Sequence, residues 1–426
     1  MLEGIYTRSK NGKGKLTARI DSIVTNRWLG FPIFCIVILI LFILTFKVGD
    51  YPMGWIEALF EWLGEVVGNA LSDGWFKDLL VDGIISGVGG VIVFLPNILI
   101  LYVCVSIMED SGYMARAAFI LDRIMRAFGL HGKSFIPMIC GFGCNVPAIM
   151  STRSIENRKN RVVTILVASL FSCSARIPVY NVLCRVFFPG YSFLIIFSIY
   201  AIGIIVALIL AKLFSLFLVK EKEMNFIMEL PEYRLPSLLN VLKHAWERAK
   251  QYLKKMATVI LAASIVIWFL SNYPNHKDEK GHLKNEETCL GVIGHFIEPV
   301  FVPQGFNWKM DVSLIAGVGA KEVVVSTLNI LYSSEEDAEN VQEEEEKDDE
   351  ESLANNLSVK LKDSGDLDAR GAYAYMLFTL FYFPCIATIV AINHEAGWKW
   401  AGFTAVYTTV LAWIVSALFY QVSKLF

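Results

Sequence analysis

The sequence predicts an all-α, multi-pass membrane protein with about seven or eight spanning helices and one or two re-entrant hairpins. Three observations predict this fold. Hydrophobic residues make up 55% of the 426 residues. Several apolar runs approach or exceed the roughly 20 residues that a helix needs to cross a bilayer. Two further segments are apolar but interrupted by glycine or polar residues, and they resemble each other, which indicates an internal repeat.

The apolar runs and the charges between them divide the chain into five parts. The basic segment 1–27 is expected in the cytoplasm by the positive-inside rule, and it does not resemble a cleavable signal peptide. Residues 28–133 hold the first spans and interfacial helices, one of them an apolar stripe at 55–67. The other parts are a first repeat at 134–235, an amphipathic helix, span and extracytoplasmic segment at 236–310, and a second repeat at 311–426 with an acidic loop at 334–351.

The segment Phe135–Met150 is the most informative stretch of the first repeat. It is short, and glycine and proline interrupt it. Basic clusters lie on both sides, which favours a re-entrant hairpin over a full crossing. Irregular backbone at membrane depth is tolerated where it packs in protein or lines a cavity.

The second repeat is predicted from a short similarity between residues 141–152 and 317–327. An odd number of spans separates the two segments, so the repeats are expected to have opposite orientations. The second hairpin, Val312–Leu331, would then enter from outside and leave the C-terminus outside. Two alternatives stay open at this point: a full crossing by 312–331, and chance similarity between apolar, glycine-rich segments.

Polar groups at the interruptions are the candidate site. Cys144, Cys173 and Cys385 each lie beside glycine, proline or serine where a helix is disrupted. Thiolates favour softer or borderline metals, while exposed carbonyl groups and the Asn145 amide offer oxygen ligands. This combination favours Fe²⁺, Mn²⁺ or Zn²⁺ over Mg²⁺ or Ca²⁺. The alternative for each cysteine is ordinary packing in an apolar environment.

Three carboxylates complete the metal-ligand candidates. Glu322 follows Lys321 in the second hairpin, where the two could form an intramembrane ion pair or Glu322 could act as a ligand or gate. Glu109 and Asp110 end the second span at the cytoplasmic side and are a candidate exit site, with a solvated helix end as the alternative.

Composition also excludes several classes of protein. The net charge of −3 does not indicate a nucleic-acid partner, and eight cysteines without a CxxC pair do not indicate a disulfide scaffold. The segment 129–134 ends like a phosphate-binding loop, but the first glycine of that motif is replaced by Ala127. We therefore predict no nucleotide site there.

Six motifs together resemble the membrane domain of the ferrous-iron transport protein B family (FeoB). They lie at 109–119, 132–135, 141–149, 172–180, 320–326 and 384–388. The resemblance covers nearly the whole chain. It implies Fe²⁺ uptake across the bacterial inner membrane, inverted gate-like repeats similar to those of nucleoside transporters, and a metal path lined by the three cysteines. Fe²⁺ would be the substrate, and no permanently bound cofactor is implied.

Members of that family carry an N-terminal GTP-binding domain and a helical regulatory domain, whereas this sequence starts almost directly at its first span. We therefore expect no enzyme activity in this chain. GTP would act only through a GTPase domain removed from it or supplied in trans, and a small FeoA-type protein is an expected partner beside the lipid bilayer. Transport of Mn²⁺, Zn²⁺, Na⁺ or a nucleoside-like solute, a non-transporting scaffold role, and a homo-oligomer stay open.

Overall fold

The computed structural model describes residues 13–217 apart from 27, 72–73, 86–87, 90–91 and 94, pieces of 233–273, residues 288–332 apart from 320 and 322, residue 361, and residues 367–425. Within this part the secondary structure is helical, without strands. This confirms the predicted all-α class. The acidic loop at 334–351 and most of the apolar run at 256–273 lie outside the described residues.

The N-terminal part begins with α1 (Lys13–Val24) and a long helix formed by α2 (Gly30–Ile43), a widened π-helical turn and α3 (Gly49–Ala70). Pro52 lies in the first turn of α3, where its missing N–H removes one helical hydrogen bond close to the widened turn. Together Gly30–Ala70 form one 41-residue helix. The stripe at 55–67 therefore continues the same helix as the first span and is not a separate helix, and its predicted interfacial position stays a prediction.

Two helices at a sharp bend follow. After α4 (Trp75–Asp78) and a π-helical segment (Leu79–Ile85) come α5 (Leu95–Asp110) and α6 (Tyr113–Ala127). The axes of α5 and α6 differ by 83°. The bend is made by Gly112, whose φ of 81° is readily adopted by glycine alone.

The first repeat consists of a hairpin, an interrupted span and a long span. The first hairpin is α7 (Phe135–Gly143) and α8 (Asn145–Ser151). The first broken span is α9 (Arg158–Ala168) and α10 (Ile177–Phe187), joined through a 3-10 turn at Ser174–Arg176. The long span α11 is Ser192–Phe217.

The second repeat has the same order of elements. The helix α12 (Cys289–Phe301) precedes the second hairpin, which is α13 (Trp308–Ala316) and α14 (Val323–Tyr332). The second broken span is α15 (Ala369–Phe381) and α16 (Ile386–Ala396), and the long span α17 is Trp398–Leu425. The arms α13 and α14 pack against each other. The segment is thus a hairpin, and it starts four residues before our predicted Val312.

The contacts between the two broken spans show that the repeats are inverted. The first half of one span packs against the second half of the other: α9 contacts α16, and α10 contacts α15. The hairpins show the same exchange between repeats, because the second arm of each hairpin contacts the second half of the other repeat's broken span: α8 contacts α16, and α14 contacts α10. Such pairing requires the two broken spans to run antiparallel, so the hairpins enter from opposite ends of the molecule. The predicted inversion is confirmed.

The broken spans form the centre and the long helices form the periphery. The second broken span is 72% buried in protein, whereas the first span and α11 are 17% buried and α17 is 28% buried. Four helices in the described part are long and apolar enough to cross a membrane, or six when two bent pairs are included. The predicted total of seven or eight spans stays a prediction.

Candidate functional site at the helix breaks

The break in the first hairpin leaves one carbonyl group without a helical partner. Cys144 is extended (φ −150°, ψ 132°) between α7 and α8. Pro147 has no N–H to donate to the Gly143 carbonyl four residues earlier. The hydroxyl of Ser174, from the first broken span, donates to that carbonyl oxygen at 3.0 Å. The break in the hairpin is therefore attached directly to the break in the span.

Asn145, a predicted oxygen ligand, makes a second connection between the same elements. Its side chain is 5% exposed. The amide nitrogen of Asn145 faces the carbonyl oxygens of Gly141 and Ala168 and donates a hydrogen bond to each, both at 3.2 Å. These carbonyl groups lie in the last turns of α7 and α9, where the regular helical hydrogen bonds end. Asn145 thus stabilises the break, and its amide oxygen is the atom that could bind a metal.

The first broken span is interrupted at Cys173, which is half-buried. Ser172 shares a hydrogen bond of 3.3 Å with the Tyr180 hydroxyl. The guanidinium group of Arg176 is buried and donates through Nη1 to the Phe171 carbonyl oxygen at 3.2 Å. A fixed positive charge therefore lies three residues from the Cys173 thiol and satisfies a carbonyl group that the break exposes.

The second repeat uses a lysine for the same purpose. Lys321, 3% exposed, lies between α13 and α14. Its ammonium group donates to the Phe383 carbonyl oxygen at 2.6 Å and lies 3.1 Å from the centre of the Tyr382 ring. The backbone N–H of Ile386 donates to the Val318 carbonyl oxygen at 3.2 Å. The second hairpin is thus bonded to the second broken span, as the first hairpin is to the first.

Cys385 lies at the break between α15 and α16 and is half-buried. Pro384 before it disfavours a helical conformation at Phe383, which ends the first half of the span. The Cys385 sulfur lies 3.1 Å from the Thr388 hydroxyl oxygen. Cys385 and Cys144 pack against the same apolar cluster, which contains Tyr102. The thiol groups of the first hairpin and the second broken span therefore face a common region.

Tyr382 connects the third cysteine to this region. Its buried phenol group lies near Arg176, Cys173 and Cys385. Within the part of the chain that the structure describes, no three His, Cys, Asp or Glu side chains are close enough together to hold a metal ion. The arrangement favours successive positions along a path over one chelating site.

The predicted carboxylate ligands lie elsewhere or outside the described residues. Glu109 and Asp110 are exposed at the bend between α5 and α6. Their location at a helix end fits both the predicted exit site and the solvated alternative, so the exit site stays a prediction. Glu322 lies outside the described residues, and its predicted ligand or gate role stays a prediction as well.

Sequence reasoning missed two charged groups of the repeats. Glu395 at the end of α16 is paired with Arg153, which follows the first hairpin; Nε of Arg153 donates to Oε1 at 2.8 Å. This hydrogen bond raises the pKa of Arg153. Asp311 is buried in α13, one residue outside the hairpin that we predicted. A search for single charges within three or four residues of an apolar run would have found both.

The Arg153–Glu395 pair joins the first hairpin to the second broken span, and we expect it to contribute measurable stability. The Glu395 side chain is 7% exposed and that of Arg153 is 47% exposed. In a double-mutant cycle of Arg153→Met and Glu395→Gln, the coupling should be about 1 kcal/mol. Unfolding by SDS in mixed micelles measures it. A coupling indistinguishable from zero would show that the contact does not hold the hairpin.

The fold and the site define a class of protein. Inverted repeats, each with a hairpin and a broken span whose interruptions meet inside the molecule, are the architecture of membrane transporters. A family model described as nucleoside recognition (Gate) matches residues 91–184 and 253–399, more than half of the chain, and each segment contains one hairpin and broken span. A model described as Ferrous iron transport protein B C terminus matches residues 196–248.

Relatives match along the whole chain. It is 49% identical over 465 aligned positions to the Fe(2+) transport protein A/Fe(2+) transporter FeoB fusion protein of Porphyromonas gingivalis, covering 100% of this chain and 54% of that protein. It is 40% identical to the Fe(2+) transporter FeoB of Campylobacter jejuni, covering 99% of this chain and 67% of that protein. It is 38% identical to the Fe(2+) transporter FeoB of Staphylococcus aureus strain COL, covering 100% of this chain and 62% of that protein. No solved structure matches.

The chain belongs to the ferrous iron transport protein B family, FeoB. It spans between about half and two thirds of the length of these curated relatives. Its family and its apolar helices make it a multi-pass protein of the inner membrane. The predicted resemblance is thereby confirmed.

Proposed function

We propose that this chain is the membrane domain through which Fe²⁺ is taken up across the bacterial inner membrane. The metal passes the region where the two broken spans cross, and it is bound in turn by Cys144, Cys173 and Cys385. The names of the relatives support Fe²⁺ as the substrate. The main observation behind the proposal is that each broken span has a half-buried cysteine at its interruption, where the two spans cross.

The chemistry of the breaks suits a borderline metal. A thiolate and backbone carbonyl oxygens together favour Fe²⁺ over the harder Mg²⁺. Serial binding at single thiols also suits movement, because a site must be weak enough to release the ion. The buried charges of Arg176 and Lys321 lie near the same breaks and oppose tight retention of a cation.

The proposal predicts a large loss of uptake when a thiol at a break is removed. In proteoliposomes loaded with an Fe²⁺-sensitive fluorophore under anaerobic conditions, Cys144→Ala and Cys385→Ala should each lower the initial rate by about tenfold, equivalent to about 1.4 kcal/mol of lost binding. The reason is that alanine offers no ligand at that point of the path.

Controls come from two buried cysteines of the first repeat, which lie within helices and away from the breaks. Cys140 and Cys184 are buried, Cys140 within α7 and Cys184 within α10. Cys140→Ala and Cys184→Ala should retain the wild-type rate. If uptake is unchanged in Cys144→Ala and Cys385→Ala, the cysteine path is wrong. Competition with Mn²⁺, Zn²⁺, Na⁺ or a nucleoside separates the alternative substrates.

We further propose two partners. The fused relative from Porphyromonas gingivalis, whose printed name includes Fe(2+) transport protein A, supports a FeoA-type partner. A GTPase domain, in cis or in trans, would regulate the path. Flux with and without a purified GTPase domain and GTP tests this. A chain that binds the domain without any metal flux would favour the scaffold alternative.

A further inference from the structure

Asp311 is an unusual carboxyl group in the second hairpin. It lies in the first turn of α13 and is 2% exposed. Both of its carboxyl oxygens are buried, and neither has a hydrogen-bond partner within the described residues. It is the one carboxylate among the buried polar groups in that condition. The corresponding first arm of the other hairpin, Phe135–Gly143, contains no charged residue.

Two other shielded carboxylates of the described residues are each paired with an arginine. Glu395 is nearly buried and is paired with Arg153. Asp21 is 22% exposed and is paired with the buried Arg116 at 3.0 Å. An ionised carboxylate that is removed from water without a cation or donors is strongly unfavourable, and the group becomes neutral instead. Asp311 therefore requires a bound proton or a bound cation in this conformation.

Among the described residues, the surroundings of Asp311 supply no positive charge to it. On its own helix, the Lys309 ammonium group lies over the aromatic rings of Trp308 and Tyr332. On the preceding helix α12, Glu298 adds like charge, and the His295 Nδ1 lies 3.4 Å from Glu298.

The remaining elements against α13 contribute hydroxyl and phenol groups. They are Tyr332 on α14 and Tyr375 on α15, whose hydroxyl is 2.6 Å from that of Ser313. No three His, Cys, Asp or Glu side chains of the described residues meet here to hold a metal ion. The surroundings therefore favour a neutral carboxyl group over an ionised one with a bound metal.

We propose that Asp311 is a proton-binding site of the second hairpin. It holds a proton in this conformation and releases it to water when the hairpin moves and exposes the carboxyl group. The link to transport rests on the proposed function: if opening of this hairpin admits or releases the metal, each such cycle also moves a proton. Metal flux is then sensitive to the pH difference across the membrane.

A carbodiimide tests the protonation state without any transport. The carboxyl proton adds to one nitrogen and the carboxyl oxygen to the central carbon, and the acyl group then migrates to nitrogen, so that nothing leaves and a stable acylurea forms. The purified chain in detergent micelles should be labelled at Asp311 by dicyclohexylcarbodiimide at pH 7.0, with less labelling at pH 9.5. Mass spectrometry of the peptide locates the label. Glu298, which is partly exposed, should be labelled much less.

Stability as a function of pH gives an independent readout. Asparagine has the shape of the neutral acid, so Asp311→Asn should melt within about 2 °C of wild type at about pH 4, where the unfolded carboxyl group still holds much of its proton, and clearly above wild type at pH 6 and at pH 9. The sign follows because the folded wild type holds a proton that the unfolded chain releases, so its stability falls as pH rises. The neighbouring variant Glu298→Gln should keep most of the wild-type pH dependence, because burial is a larger cause of proton retention at Asp311 than the charge of Glu298.

The outcomes separate this proposal from the proposed function. Absence of label at Asp311, together with an Asp311→Asn variant that is less stable at every pH, would show an ionised carboxylate and overturn the proton site. Suppression of the label at pH 7.0 by Na⁺ or Fe²⁺ would assign a cation site instead. Neither result depends on Fe²⁺ flux. Loss of flux in the cysteine variants alone would leave the labelling result unaffected.

Discussion

Lys321→Met is expected to destabilise the protein by about 3 kcal/mol and to lower Fe²⁺ uptake by at least about tenfold. The ammonium group donates to the Phe383 carbonyl oxygen at 2.6 Å. Methionine has a similar length but no donor, so the substitution removes a charge-assisted hydrogen bond and leaves a buried carbonyl group unpaired. Because Phe383 is two residues before Cys385, the thiol also loses its fixed position.

A second lysine of the same hairpin provides the control. The Lys309 ammonium group also lies over aromatic rings, 4.7 Å from the centre of the Tyr332 ring, but at the start of the hairpin. Lys309→Met should cost only about 0.5–1 kcal/mol. SDS unfolding in mixed micelles and the fluorophore uptake assay measure both variants. Equal effects of the two substitutions would show that the Phe383 contact has no special role.

Arg176→Met is expected to have a comparable effect in the first repeat, about 2–4 kcal/mol. The guanidinium group is 1% exposed and donates to the Phe171 carbonyl oxygen. It also lies near Tyr382 of the second broken span. Its removal leaves the Phe171 carbonyl group, which lies three residues beyond α9, without this donor and loosens the crossing of the two spans.

Arg185 in the last turn of the same broken span is the matched control. It is exposed, so Arg185→Met should change the unfolding free energy by less than about 0.5 kcal/mol. The same SDS titration compares the two variants. If Arg176→Met unfolds at the wild-type SDS concentration, the carbonyl contact is not a source of stability, and the account of the first break is wrong.

The first hairpin could be predicted from sequence because its signals are local. Glycine and proline within Phe135–Met150, with basic clusters on both sides, leave a re-entrant path as the simplest arrangement. The second hairpin was placed four residues short. Because Lys309 and Asp311 are charged, hydropathy places the start of the apolar run after them, although the fold buries Asp311. Composition does not reveal that one carboxyl group is neutral.

Tertiary contacts account for what sequence could not supply. Lys321 stands next to Glu322 in the sequence, which suggested a local ion pair, yet its ammonium group binds a carbonyl group of the second broken span. Asn145 was predicted as a ligand from its amide, while its nitrogen holds two carbonyl groups of the first break. Which donor meets which exposed carbonyl depends on how the repeats cross.

Protection of the break cysteines by metal tests the central claim most directly. In a chain that retains Cys144, Cys173 and Cys385 and has alanine at the other five cysteines, a methanethiosulfonate reagent is applied under anaerobic conditions, and each peptide is quantified. Fe²⁺ at about ten times its dissociation constant should slow modification of all three thiols about tenfold, whereas Mg²⁺ should not. Identical rates with Fe²⁺ and Mg²⁺ would contradict a metal path through these thiols.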